Sequence, residues 1–296
     1  MADKQFKHLL MRISGFIHRP TYEKVRFLIK RGWWPDLERP STINEWLVSQ
    51  KLANSYKYPE LSGKLEAYAY ARTCIPDILI PNVVAVLDET SSAFPRDLLP
   101  GKYFLKGSRG SGMICPVTIY QSDVCQSQLT QLDKIIKTWL STSYEKISGE
   151  KLYESAKNCI LLETSLTTDG QPAPDIKIHC SSGVPRVLQY INRSSGSMVR
   201  FTWRVESESK LVPVRYYVDE LKDPPNDITS DLLLSCVRAA KSLCQGLTYV
   251  RVDFMVVNKK PIFSELTFCP AGGCMPLLTR SIDHIFFLNC FENSTN

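Results

Sequence analysis

The chain has 296 residues, 44% hydrophobic and 22% charged, with 36 lysines and arginines against 30 acids for a net charge of +6. That length suits one large domain or two to three lobes, and that balance excludes a disordered chain, which needs low hydrophobicity and high net charge. The surplus is too small to indicate nucleic acid, and it is local: residues 1–34 hold eight basic and two acidic side chains, leaving the rest neutral at 28 against 28.

Residues 5–31 alternate apolar and basic side chains at helical spacing, and Pro20 divides them into two helices, the second ended by Gly32. Ser41, Thr42 and Glu45 form a capping signal for a helix reaching about residue 52. Another helix is expected over 64–74, stopped before Pro76. From residue 77 short β-rich runs separated by Pro and Gly predict strands at 78–80, 83–87 and 103–106. A helix is expected over 126–140, then strands at 159–163, 176–180 and 186–191, and a helix over 231–245. The last strands, 249–257 and 262–268, are joined by a turn at 258–261. Helices and strands alternate without a regular βαβ rhythm, which predicts an α+β fold with antiparallel sheets. The ten cysteines form no C-x-x-C pair and sit among apolar neighbours, as buried thiols in a reducing compartment do. No apolar run reaches the roughly 18 residues of a bilayer span. The N-terminus lacks a signal peptide's apolar core, so a cytoplasmic location is expected.

Three segments carry chemistry. In the first, Lys106 closes a strand and a loop of small residues follows, Ser108, Gly110, Ser111 and Gly112 among them. Such a loop lets backbone N–H groups approach phosphate oxygens while the lysine supplies a point charge. The spacing is not that of a Walker loop, and a plain Gly/Ser hairpin is the alternative. In the second, Asp253 and Glu265 lie on the two strands of the last hairpin and approach registry. Two carboxylates in an apolar sheet repel, and a divalent cation relieves them; Mg²⁺ is commonly held by one or two carboxylates plus substrate phosphates. The alternative is that Arg251 or another base pairs with one acid. In the third, a hairpin turning at Ser182-Gly183 brings Asp175 and Lys177 to Arg193; a solvated sheet edge protected by lysine is the alternative. His179 reads as a strand-face residue.

Taken in order, these segments resemble the ATP-grasp superfamily, and within it the TupA-like, teichuronopeptide-type branch found among bacterial surface-polysaccharide proteins. The match runs over about residues 33–278. It rests on Ser41-Thr-Ile-Asn-Glu45, on Gly63-Lys64 through Tyr68, and most specifically on Arg251-Val-Asp253 with Glu265-Leu-Thr267-Phe-Cys-Pro-Ala-Gly-Gly273. Gly63 stands where that branch has Asp, Tyr68 where it has Arg, and Thr267 where many ATP-grasp enzymes have Asn. The resemblance implies two α+β lobes with antiparallel sheets clasping ATP, preceded by a helical segment: 1–76, 77–165 and 166–296. Lys64 and Lys106 would hold ATP phosphates under the loop of Ser108, Gly110, Ser111 and Gly112. Glu163, Thr164 and Ser165 would touch adenine, and Asp169 the ribose. Lys177 and Arg193 would act on the γ-phosphate, and Asp253, Glu265 and Thr267 would hold Mg²⁺.

The activity so implied is an ATP-dependent carboxylate–amine ligase that makes an amide through an acyl phosphate. It would join an amino acid or amine to a uronic acid of a surface polysaccharide or its precursor. A sugar kinase on the same fold and a non-catalytic adaptor, the latter suggested by Gly63 and Tyr68, are the alternatives; a glycosyltransferase ranks last because a D-x-D motif is missing. Specificity is expected from the N-terminal lobe and from 194–230, where Trp203, Arg204, Arg215, Tyr216 and Tyr217 suit a sugar acid. The basic residues of 4–31 either pack on the body or reach peripherally toward an anionic membrane. No nucleic-acid partner is expected.

Overall fold

In the computed structural model, which describes residues 18–120, 126–168, 171–193, 198–217, 220–221, 223–225 and 228–291, Pro20 stands in the first turn of helix α1 (Arg19–Arg31). Its missing N–H costs nothing there. Gly32 ends α1 in the left-handed region at φ 85°, donating its N–H to the Leu28 carbonyl. The helix expected before Pro20 lies outside the described residues. Thr42 caps α2 (Ile43–Ala53): its hydroxyl accepts the Glu45 N–H, while the Glu45 carboxylate reaches back to accept the Ser41 N–H. Helix α3 (Lys64–Cys74) follows with Gly63 at its N-cap.

Two antiparallel sheets carry the rest. The first comprises β1 (Val83–Leu87), β2 (Gly101–Gly107), β3 (Ile114–Ile119) and β4 (Ile160–Thr164), in the order β1-β4-β2-β3. Helix α4 (Gln126–Leu140) covers it, burying Leu129, Leu132 and Ile136 at helical spacing against Leu105 and Leu162. A short helix α5 (Tyr144–Ser148) leads back to β4. After a two-stranded ribbon, β5 (Thr167–Thr168) with β6 (Gln171–Pro172), come β7 (Asp175–Ser181), β8 (Val184–Asn192), β9 (Val199–Ser207) and β10 (Lys210–Val214). Helix α6 (Ser230–Leu243), β11 (Tyr249–Val257), β12 (Lys260–Thr267) and helix α7 (Arg280–Phe291) complete the chain. The second sheet has the order β10-β9-β8-β7-β11-β12.

Strand periodicity decides what this sheet shows on each face. Ile176, Ile178 and Cys180 of β7 and Val250, Val252 and Phe254 of β11 point to one side, where α6 and α3 complete the main core with Val237, Ala240, Ala67, Tyr68 and Ala71. Helix α3 thus belongs to this core, while α1 and α2 close a small cluster of their own through Phe27, Val48 and Cys274. The intervening residues point the other way. Tyr249 and Val187 are covered there by α2 and α7 through Leu47, Phe286 and Cys290, and the charged positions farther along the same strands are left to face the first sheet.

Residues 78–80 do not form a strand. Prolines 76 and 81 bracket them, and the Leu79 carbonyl makes one bond, from the Phe263 N–H at 2.8 Å. Strands β3, β9 and β10 and helix α7 were not expected. Pro116 and Pro213 interrupt the runs of β3 and β10, and both strands lie at sheet edges, where a missing N–H is tolerated. The turns at Ser182-Gly183 and Asn258-Lys259 have positive φ at both central residues, as two-residue hairpins require.

Candidate active site

Between the two sheets lies a cleft of about 1020 Å³. The first sheet contributes Lys102, Phe104 and Lys106 of β2, Thr164 at the end of β4, and then Ser165. The loop between β2 and β3 contributes Gly110, Ser111 and Gly112. Opposite stand Asp175 and Lys177 of β7, Arg193 after β8, Arg251 and Asp253 of β11, and Glu265 and Thr267 of β12, with Lys64 at the start of α3.

The expected loop is also the alternative hairpin: β2 and β3 pair up to Lys106 and Ile114, and Gly107 donates its N–H to the Met113 carbonyl. Gly110 sits at φ +82° against Tyr144, where a Cβ would come within 2.5 Å of the ring. The loop is thus folded onto α5 while its glycines leave backbone facing the cleft.

Asp253 is the direct register partner of both Glu265 and Lys177, and Arg251 of Thr267. One cluster results. Arg251 grips Asp253 through Nε and an Nη at 2.7 Å each, and Lys177 Nζ stands 2.5 Å from the same carboxylate. Glu265 lies 3.4 Å from Lys64 Nζ and 3.8 Å from Arg251, and accepts the Thr267 hydroxyl at 3.0 Å. Burial works to raise the Glu265 carboxyl, but Lys64, Lys177 and Arg251 outweigh it and hold it at about 2. Asp175 pairs with Arg193. The pairing of Arg251 with an acid, posed as an alternative to a metal site, is present.

The residues nevertheless fit a Mg²⁺ ion. The ion takes one or two carboxylates and draws its remaining ligands from phosphates and water. Asp253 and Glu265 stand on adjacent strands at paired positions, and each carboxylate has lone pairs beyond those its partners use. Among the described residues no three His, Cys, Asp or Glu groups converge to hold a metal unaided. Arg251, Lys177 and Lys64 are placed to balance a triphosphate brought with the ion.

Two expected site residues lie elsewhere. Ser108 is fully buried; its carbonyl accepts the Lys64 N–H and its hydroxyl the Leu65 N–H, so it tethers α3 rather than facing a phosphate. Glu163, 1% exposed, turns from the cleft to pair with Lys106 Nζ at 2.7 Å and to accept the Tyr68 hydroxyl at 2.8 Å. Asp169 lies outside the described residues. The departures at Tyr68 and Gly63 are accommodated. Tyr68 is the partner of Glu163, and at Gly63 a Cβ would meet Ala156 at 2.7 Å and a Glu66 oxygen at 2.1 Å, leaving no room for a side chain.

The aromatic residues expected to read a sugar acid do not reach the cleft. Trp203 packs at a tilt against Phe201, ring centroids 4.5 Å apart, and Tyr216 and Tyr217 are buried, Tyr217 accepting from Gln189. His179 is buried against Tyr249 and Phe286, and burial holds its ring well below its ordinary pKa, hence neutral. The N-terminal helix, in contrast, borders the cleft through Tyr22, Arg26 and Lys30. Their spacing of four is visible in the sequence; the surface they face is not. Arg251 carried a readable signal, since it alternates with Asp253 on one strand face. Arg19 and Arg26 pair with Glu23, and Arg31 bonds the Leu277 carbonyl, so these three pack on the body.

A family model described as TupA-like ATPgrasp matches residues 45–287. No curated protein matches the sequence. Among solved structures, the D-alanine–D-alanine ligase of Bacillus anthracis with ATP shares 12% identity over 71% of this chain and 54% of its own, at a TM-score of 0.42. The D-alanine–D-alanine ligase of Helicobacter pylori shares 14% over 78% and 57%, at 0.45. The VanG D-Ala:D-Ser ligase of Enterococcus faecalis shares 12% over 78% and 61%, at 0.44. The chain spans little more than half the length of the first two.

Proposed function

The chain belongs to the TupA-like ATP-grasp family, and on that premise we propose that it is an ATP-dependent carboxylate–amine ligase, forming an amide through an acyl phosphate and releasing ADP. The observation that carries this reading is the facing of Lys106 and the loop of Gly110, Ser111 and Gly112 across one cleft from the Asp253–Glu265 pair. Phosphoryl transfer asks a protein for positioning and charge neutralisation more than for a nucleophile. Lys64, Lys106 and the backbone of Gly110, Ser111 and Gly112 hold the phosphates, and Lys102, Thr164 and Ser165 border the base. Asp253 and Glu265 would hold Mg²⁺, steadied by Thr267, and the site so loaded would supply charge neutralisation to the phosphates. Lys177, Arg193 and Arg251 carry charge on the transferring group.

The substrate pair is an amino acid or amine and a uronic acid of a bacterial surface polysaccharide or its precursor, from the family's setting. The reaction is cytoplasmic. No described helix is long and apolar enough to cross a membrane; peripheral contact with anionic lipid draws on residues 4–31, chiefly those before His18, because Arg19, Arg26 and Arg31 are engaged. Vesicle flotation of a Lys4, Lys7, Arg12 triple glutamine variant tests that element; flotation equal to wild type discards it.

A screen of uronates and amines with ATP and Mg²⁺ tests the activity, with ADP release as first readout and phosphorus NMR as second. Inorganic phosphate with an amide is the expected product. A phosphomonoester makes the protein a kinase. No ADP from any pair, and no Mg²⁺-dependent thermal shift with ATP, overturns the reading in favour of an adaptor.

A further inference from the structure

Helix α1 walls one end of the cleft in a way the nucleotide and metal roles leave unused. Arg26 and Lys30 line that end together with Lys51 of α2 and Glu150, which precedes the turn Lys151–Ser155. Fully buried Glu23 stands 2.8 Å from Arg19, 2.8 Å from Arg26 and 2.6 Å from Lys51. One carboxylate among three cations leaves the corner positive, and two of those cations border the cleft. Glu150 is 7% exposed, yet among the described residues no hydrogen bond or ion pair reaches its carboxyl. Lys51 and Arg26 act on it by charge without bonding to it. Glu150, Tyr153 and Glu265 line the same cleft, and both carboxyls act by charge on the Tyr153 hydroxyl, which burial raises first.

A buried carboxyl without a partner is costly unless a ligand supplies one. Here it lines the same cleft as an excess of positive charge. We propose that this corner is the amine subsite and that its ligand is an amino acid: the ammonium meets the Glu150 carboxylate, and the amino acid's own carboxylate meets Arg26 and Lys51. The inference rests on the ligase reading and adds to it the class of amine and the base. Glu150 takes one proton from the ammonium, and the freed lone pair attacks the acyl carbon. The C–N bond forms as the C–O bond to phosphate breaks, its electron pair leaving with the phosphate. The second nitrogen proton departs on phosphate as hydrogenphosphate.

Burial pushes the Glu150 carboxyl up to about 7 against the pull of Lys51 and Arg26, which suits a base near neutrality. Arg19 and Glu23 also act on it, and the hydroxyls of Tyr56, Tyr144 and Tyr153 and the thiol of Cys269 lie within its field. The amide-forming rate is expected to rise with pH through this range.

The test uses the full chain in thermal-shift assays with each of the twenty common amino acids and with the decarboxylated amine of each. At least one amino acid is expected to raise Tm, its decarboxylated amine not to, and both Glu150→Gln and Arg26→Met to abolish the shift. No shift with any amino acid, or a shift that survives Glu150→Gln, overturns the subsite; that isosteric change keeps the test decisive if Arg26→Met fails to fold. Hydroxylamine, a nucleophile already neutral near pH 7, traps the acyl phosphate as a hydroxamate. The ratio of amide to hydroxamate is expected to fall about 100-fold in Glu150→Gln. An unchanged ratio overturns the proton transfer. An amino-acid shift in a wild-type chain that forms no hydroxamate from ATP and any uronate leaves the subsite standing and sinks the ligase reading instead.

Discussion

Glu163 shows how a residue changes meaning once its neighbours are known. As the end of an apolar strand before Thr164 and Ser165 it reads as part of an adenine contact. In the fold it is buried under Lys106 and Tyr68 and sets the direction of the lysine. Tyr68→Phe removes one hydrogen bond to a buried carboxylate and is expected to cost about 1–2 kcal/mol in urea unfolding. Lys106→Met removes the counter-charge and is expected to cost about 3–5 kcal/mol, besides abolishing ATP binding. A cost for Tyr68→Phe indistinguishable from zero would show that the tyrosine does not support the pair. Asp253 serves two masters, since Arg251 and Lys177 already hold it. Asp253→Asn is expected to abolish the Mg²⁺-dependent part of an ATP thermal shift while leaving any Mg²⁺-independent part, because the cations facing the phosphates remain. A Mg²⁺-dependent shift equal to wild type would remove Asp253 from the metal site.

The β2–β3 hairpin is the element in which local rules and site geometry coincide. Left-handed φ at Gly110 and Gly112 turns the chain, and the same lack of side chains brings backbone to the cleft. Gly110→Ala meets both penalties, a left-handed φ and a Cβ 2.5 Å from the Tyr144 ring. It is expected to lower stability by about 1–3 kcal/mol and to weaken ATP binding at least tenfold in calorimetry. Gly112→Ala shares the φ but meets no atom within 4 Å, so its cost should be the smaller; equal costs would show that contact with α5 does not shape the loop. The last hairpin follows from period-two alternation: Arg251 and Asp253 share a face because one residue separates them, and the turn at Asn258-Lys259 sets Glu265 opposite Asp253. These relations are legible in one sequence. The edge strands β3 and β10 were not, because Pro116 and Pro213 argue against strand until the strand order shows the edge.

For the molecule as a whole, the buried carboxyls set the pH dependence of stability. Glu150 rises to about 7 and Asp283 to about 6, both chiefly by burial. A carboxyl with a raised folded pKa keeps its proton in the folded chain while the unfolded chain has lost it. Its contribution is therefore fully present below about pH 4 and is lost as pH climbs through 6 to 7. His179, held neutral, acts in the opposite sense: below its ordinary pKa the unfolded chain takes the proton and the fold is disfavoured. Comparing Glu150→Gln with wild type cancels both His179 and Asp283. The variant's gain in Tm is expected to grow by a few degrees from pH 5 to pH 8, matching about 2 kcal/mol of relieved carboxylate burial. A gain constant with pH would mean that Glu150 titrates in the folded chain as it does unfolded.

Hydrophobic periodicity, turn residues and charge placement act over a few residues, and so the α+β class, most element boundaries, the Gly/Ser loop and the Asp253–Glu265 pairing were readable before any coordinates. Facing relations depend on contacts between segments far apart in the chain, from 43 residues for Leu65 with Ser108 to 246 for Arg26 with Gly272. That Ser108 and Glu163 turn away from the cleft, that Trp203, Tyr216 and Tyr217 belong to packing, and that Arg26, Lys51 and Glu150 line one cleft with Lys64 and Lys106 follow from how α1 and the two sheets close on one another. The net charge of +6 illustrates the division: its location in residues 1–34 is a matter of composition. The inward pairing of Arg19, Arg26 and Arg31 exists because Glu23, Asp283 and the Gly272 and Leu277 carbonyls were brought to that helix by the fold.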